Sequence, residues 1–124
     1  MGRILIASVL LLSVGMTTTA QAADPGKGKS VFSSQCAICH AVTAHAAPGI
    51  GPSLYGVVGR KSGSLPGYSY SSAMKAAEAV WTEARLKAYI AAPGQNIAGN
   101  KMPYAGLKNP AQADDLTAYL ATLK

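Results

Sequence analysis

The chain has 124 residues, with eleven Lys and Arg against five Asp and Glu and two cysteines. That length bounds it to one small domain with a modest core, and two cysteines three positions apart exclude a disulfide framework. The formal charge of +6 is moderate; its basic residues are scattered and no nucleic-acid motif accompanies them, so nucleic acid is not expected as a partner.

Residues 1–22 have the layout of a secretory signal: Arg3 as a basic start, an apolar stretch from Ile4 to Met16, and the small-residue pattern Ala20, Gln21, Ala22. The apolar stretch falls short of the about 20 residues that a membrane span needs. Cleavage after Ala22 is expected, leaving residues 23–124 as a 102-residue domain of charge +5 in the periplasm. Export to an oxidising compartment leaves two free thiols prone to pair unless other chemistry uses them.

From Pro25 to about Ser34 the sequence predicts a first helix with Val31 and Phe32 as its apolar anchors. Gly28 lies one turn before Phe32 on the same face, where it lets another helix approach. Cys36, Ala37, Ile38, Cys39 and His40 follow, and this spacing reads as a c-type haem attachment site. Each thiol can add across a vinyl group of the porphyrin, while the adjacent imidazole reaches the iron. A structural zinc site needs four ligands, and beyond the motif only His45 is on offer. A thioredoxin-like motif expects a βαβ pattern, which the flanking sequence lacks.

Residues 41–65 are rich in Gly, Pro and Ser and read as loop. A short helix is predicted from about Ser71 to Ala77, capped by Ser71 or Ser72. Another runs from Glu83 to Ala91 after Thr82, with Leu86, Tyr89 and Ile90 on one face, and Pro93 with Gly94 ends it. The stretch from Gly94 to Lys108 reads as a long loop and a functional candidate. In the last helix Asn109 caps, Pro110 takes the first position, and Asp114 and Asp115 lie towards the positive end. Leu116, Tyr119, Leu120 and Leu123 form its apolar stripe. With no alternating strand pattern in competition, the expected class is all-α, its helices and long loops wrapped around something flat and apolar.

What faces the iron opposite His40 decides between electron transfer and catalysis. A methionine thioether fills the sixth position and raises the reduction potential. Met102 is favoured, because Pro103 after it restricts it to extended geometry that can present the side chain. Met74 falls in a predicted helix and suits a core or haem-edge contact. His45 is only five residues beyond His40 and is poorly placed to fold over to the opposite face. Lys101 qualifies only when deprotonated, since an ammonium has no lone pair. A peroxidase-like enzyme would need an open distal site, and no suitable distal histidine is present.

The motifs CAICH at 36–40, GPSLYG at 51–56, GRKSG at 59–63, PGYSYSSA at 66–73 and KMPYAG at 101–106, with Trp81, Tyr89 and Pro93, make the chain similar to the class I cytochromes c over nearly all of residues 24–124. The resemblance implies the cytochrome c fold, in which Gly28, Phe32, Leu116 and Tyr119 form the crossing of the first and last helices. It also implies one covalent haem c on Cys36 and Cys39, with His40 and Met102 as axial ligands. Pro52 would accept a hydrogen bond from His40 and fix the imidazole. Tyr70 and Trp81 would bond a haem propionate, Arg60 would offset propionate charge, and Tyr89 would lie near the Met102 sulfur.

The function implied is a soluble single-electron carrier, not an enzyme, and a monomer that touches membranes only through membrane-bound partners. It would shuttle between redox proteins, a donor complex or dehydrogenase and a terminal oxidase or other acceptor, through a basic haem-edge surface. Three departures stand out from the family pattern: Met74 where relatives often have Asn, Tyr104 for a frequent Phe, and Gly94 with Gln95 where mitochondrial relatives often carry lysines. The ring of docking lysines is therefore thinned.

Overall fold

The computed structural model describes residues 15–18 and 20–124, so most of the expected signal segment lies outside the described residues. Among the described residues no helix is long and apolar enough to cross a membrane. The first helix, α1, spans Pro25–Gln35; Asp24 caps it by accepting from the Gly26 and Lys27 amides, and Pro25 needs no amide partner at the first position. The next, α2, is a single short stretch, Ser72–Ala76, begun by Ser71, whose hydroxyl accepts from the Met74 amide. Thr82 caps α3, Glu83–Ala91, through the Arg85 amide. Asn109 caps α5, Pro110–Ala121, through the amides of Ala111 and Gln112.

Pro93 does more than stop α3. The backbone extends at Ala92 (φ −154°, ψ 74°) and then turns again into α4, Pro93–Asn96, with the proline at its start. The expected long loop is thus shortened at its beginning, because a proline that cannot continue one helix is well suited to open the next.

The helices enclose one core. Helix α1 crosses α5 at Gly28, where a Cβ would lie 1.9 Å from the Asp115 carbonyl oxygen and 2.8 Å from the Tyr119 Cβ. Only glycine permits that approach, and it brings the Phe32 and Tyr119 rings to 5.8 Å between centroids. Leu116 and Leu120 are fully buried beneath them, while Tyr119 and Leu123 are partly buried, with Ala113 and Thr117 completing the inner face. Helix α3 adds Leu86, Tyr89 and Ile90 to the same core.

The predicted loop between the attachment motif and α2 is stitched by backbone bonds rather than by strands. Gly51 N–H donates to the Cys39 carbonyl at 2.8 Å and Leu54 N–H to Ala41 at 2.8 Å, folding residues 49–54 back onto the attachment motif. Gly59 N–H donates to Trp81 at 2.7 Å and Trp81 N–H to Arg60 at 2.9 Å, with an isolated antiparallel bridge between Lys61 and Val80. These ties bring the Trp81 side chain into the core from a segment outside the helices.

Candidate functional site

Between the attachment motif, α3, α5 and the segment before Asn109 lies a cavity of about 310 Å³. Cys36, Cys39, His40, Pro52, Arg60, Tyr70, Trp81, Tyr89 and Met102 all line it, so residues spread over 67 positions of sequence converge on one space. Met74 and Lys101 line it too, whereas His45 does not; it sits exposed on a loop with φ 59°.

His40 is held by two neighbours. Its Nδ1 lies 2.8 Å from the Pro52 carbonyl oxygen, and since a carbonyl only accepts, Nδ1 carries the proton and Nε2 keeps its lone pair. Gly51 also packs against the ring: a Cβ there would stand 2.6 Å from His40 Cε1 and 2.7 Å from Nδ1. Burial lowers the imidazole pKa; the Pro52 bond opposes this, and the charge of Arg60 adds to it. The ring is therefore neutral and oriented, the state a metal-binding imidazole requires.

The thiols of Cys36 and Cys39 are both free and partly buried. Burial, with a contribution from Cys39, pushes the Cys36 thiol up to about 11, so its sulfur is protonated at neutral pH. Met102 lines the same cavity from the segment between α4 and α5. Asn100 shapes its backbone: Oδ1 accepts from Met102 N–H at 2.7 Å, while Nδ2 donates to the carbonyls of Pro93 at 3.0 Å and Ile97 at 2.8 Å.

Arg60 is only half exposed, and it donates through Nη1 to the Tyr55 carbonyl at 3.2 Å and through Nη2 to Ser53 at 2.9 Å. Trp81 and Tyr89 stack at a tilt, ring centroids 5.1 Å apart, and form one wall. Burial raises the Tyr89 phenol to about 12, with a smaller contribution from Tyr68, and burial likewise raises Tyr70. Both stay protonated at neutral pH and retain O–H donors.

Leu54, Val57, Leu86, Ile90, Leu116 and Leu120 make much of the remaining wall apolar. Of these the apolar periodicity singled out Leu86, Ile90, Leu116 and Leu120 as core positions. Leu54, Val57 and the contact of Gly51 with His40 were not read, because they sit in a segment without periodicity whose place is set by bonds to distant carbonyls. The Tyr104 hydroxyl donates to Gln35 Oε1 within the chain.

An apolar slot bordered by one neutral imidazole, two thiols, two thioethers, one guanidinium and four phenols suits a flat, apolar, metal-centred group with acidic substituents. The cytochrome c family model matches residues 26–124. Cytochrome c2 of Rhodomicrobium vannielii is 46% identical over 122 residues, covering 98% of this chain and 97% of its own. Cytochrome c2 of Rhodoblastus acidophilus is 45% identical over 103 residues, covering 83% and 95%. The likeness crosses kingdoms: cytochrome c of Sesamum indicum is 45% identical over 101 residues, covering 79% and 91%.

Proposed function

Because the chain belongs to the cytochrome c family, we propose that it is a periplasmic single-electron carrier whose one covalent haem c is held between His40 and Met102. The chain is a small c-type cytochrome, an electron carrier and not an enzyme. The finer reading rests on one observation: two thiols, an imidazole with a free Nε2 and a thioether all border the same apolar cavity.

When bound, haem c supplies an iron that takes up and gives back one electron. Cys36 and Cys39 provide the two sulfurs for its thioether bonds. His40 offers Nε2, aimed by the Pro52 carbonyl and confined by Gly51, so the ligand needs little rearrangement between oxidation states. Met102 would offer a soft sulfur, a donor that raises the reduction potential of a haem iron. Arg60 supplies a cation, and Tyr70 and Trp81 supply donors, for the acidic substituents; Tyr89 borders the Met102 side. The leucine and valine walls exclude water.

Residues 1–22 serve as the export signal on this reading, and mass spectrometry of the mature protein gives Ala23 as its first residue; an intact Met1 overturns that part. The partners are redox proteins, a donor complex or dehydrogenase and a terminal oxidase or other acceptor. The monomer's excess of cations, with Lys101 at the cavity mouth, orients their approach. Optical redox titration of the haem-loaded protein tests the ligand set. The reduced protein is expected to bind CO slowly or not at all, and rapid stoichiometric binding overturns His40–Met102 ligation.

A further inference from the structure

Two thioethers border the site cavity, Met102 and Met74, and the proposed ligand set uses only the first. Their backbones run side by side. A Cβ on Gly99, shortly before Met102, would rest 3.5 Å from the Cβ of Ala73, the neighbour of Met74. Lys101 Nζ donates to the Ser69 carbonyl at 3.0 Å, a second tie between the same two segments. Met74 therefore reaches the cavity from beside Met102, whereas His40 is packed among Pro52 and Gly51.

The two methionines are held by different means. Met102 depends on the Asn100 side chain, which accepts from its amide. Met74 sits in α2, where its own amide donates to the Ser71 hydroxyl at 3.0 Å. Gly63 (φ 65°) packs on that turn, and a Cβ there would stand 3.2 Å from the Met74 carbonyl oxygen. Past the end of α2 the buried Ser62 hydroxyl accepts from the Ala79 amide at 3.0 Å and fixes the exit. None of these three contacts involves residues 100–104, so Met74 keeps its place when that segment loosens. Its side chain, with three rotatable bonds, can still move.

Donor chemistry separates Met74 from the other groups on the wall. Lysine must lose a proton before its nitrogen has a lone pair, which sets Lys101 aside at neutral pH. Burial raises the phenols of Tyr70 and Tyr89, so both keep their protons. A thioether is neutral and carries its lone pair at every pH.

We propose that Met74 is a reserve axial ligand: when Met102 leaves the iron, the Met74 sulfur forms the coordinate bond in its place. One neutral lone pair replaces another, so neither a proton nor an electron moves in the exchange. This rests on the reading that haem c is held between His40 and Met102, and it adds a residue to that ligand chemistry.

The test uses the full haem-loaded protein with Met102→Ala, which removes the resident sulfur. Its control is the double variant Met74→Leu, Met102→Ala, in which leucine keeps the volume of Met74 without its sulfur. The readouts are the sulfur-to-iron charge-transfer band of the oxidised protein, the reduction potential, and CO association with the reduced protein. The single variant is expected to retain the band and to hold a higher potential than the double variant. It is also expected to take up CO about tenfold more slowly than the double variant. Absence of the band in the single variant, or equal CO association in the two, overturns the proposal. Met102→Leu, which also lacks the sulfur, carries the same readouts where the alanine variant does not hold haem. A band lost in Met74→Leu alone and unchanged in Met102→Ala makes Met74 the resident ligand, and overturns both this proposal and the His40–Met102 reading. Rapid CO binding by the wild type sinks the carrier reading itself; slow binding by the wild type with no band in Met102→Ala sinks only the reserve ligand.

Discussion

Where α1 crosses α5, a missing side chain at Gly28 brings two backbones together over Phe32, Leu116 and Leu120. Along residues 100–104 the opposite means is used: Asn100, Lys101 and Tyr104 each hold the segment by side-chain hydrogen bonds to another part of the chain or to its own turn. The first region is stabilised by burial and close packing, which are lost or kept together. The second is held by separate polar ties, each worth about 1 kcal/mol net, so that it can loosen without the core coming apart. Met102 sits in the second region and His40 in a segment fastened to the first through the end of α1. The two sides of the site therefore differ in stiffness by construction.

The harshest way to break this contrast is at the crossing. Gly28→Ala places a methyl against the Asp115 carbonyl, which is backbone and cannot swing aside, so the helices must separate at about 3 kcal/mol. Urea unfolding of the haem-loaded protein is expected to show that loss as one cooperative transition; a loss below about 1 kcal/mol would mean the crossing yields more easily than its geometry implies.

Next in size is a titration in the cavity wall. The Tyr89 phenol is raised from 10.0 to about 12, so the unfolded chain releases this proton first as pH rises. The native state then binds more protons than the unfolded state, and stability declines from about pH 10 and levels off above about pH 12. Tyr89→Phe is expected to lose about 2 kcal/mol less than wild type across that window. Parallel unfolding curves for the two proteins would show that Tyr89 is not the group responsible.

Asn100→Ala sharpens the contrast from the other side. It removes one acceptor and two donor bonds from the Met102 turn and is expected to cost about 1 to 2 kcal/mol. Its signature is local: CO association with the reduced protein quickens while the unfolding transition stays single. Loss of cooperativity instead would place this segment inside the core's unit. The smallest effect is at the surface, where Lys61 and Glu78 form an exposed pair at 3.4 Å. Lys61→Met is expected to change stability by less than about 0.5 kcal/mol, and a larger change would show the neighbouring Lys61–Val80 bridge depending on that charge.

Several elements were legible because their signals are local. Asn109 before Pro110, Thr82 before Glu83, and Asp24 before Pro25 satisfy amides two or three residues away, so the helix starts fell where the sequence put them. The close approach at Gly28 was readable from its spacing as an opportunity, while the last helix as the element that uses it came from the family resemblance. The turn α4 escaped because Pro93 carries two local meanings, stop and start, and the choice depends on how Ala92 extends. Tyr104 escaped because its partner Gln35 is 69 residues away. The convergence of Arg60, Tyr70, Trp81 and Tyr89 was expected from family resemblance, since nothing in their spacing alone brings them together.

The amino-acid sequence by itself determined the helical class, the caps, the attachment motif at Cys36 to His40 and the candidate Met102, since each depends on residue types and spacings within a turn or two of chain. Tertiary structure decided what those residues face: Pro52 and Gly51 around the His40 ring, the carbonyls that take the Arg60 guanidinium, and the Gln35 that takes the Tyr104 hydroxyl. Hydrogen bonds and burial between distant segments exist only once the chain has closed its loops, and no local pattern encodes which carbonyl or which ring will be waiting there.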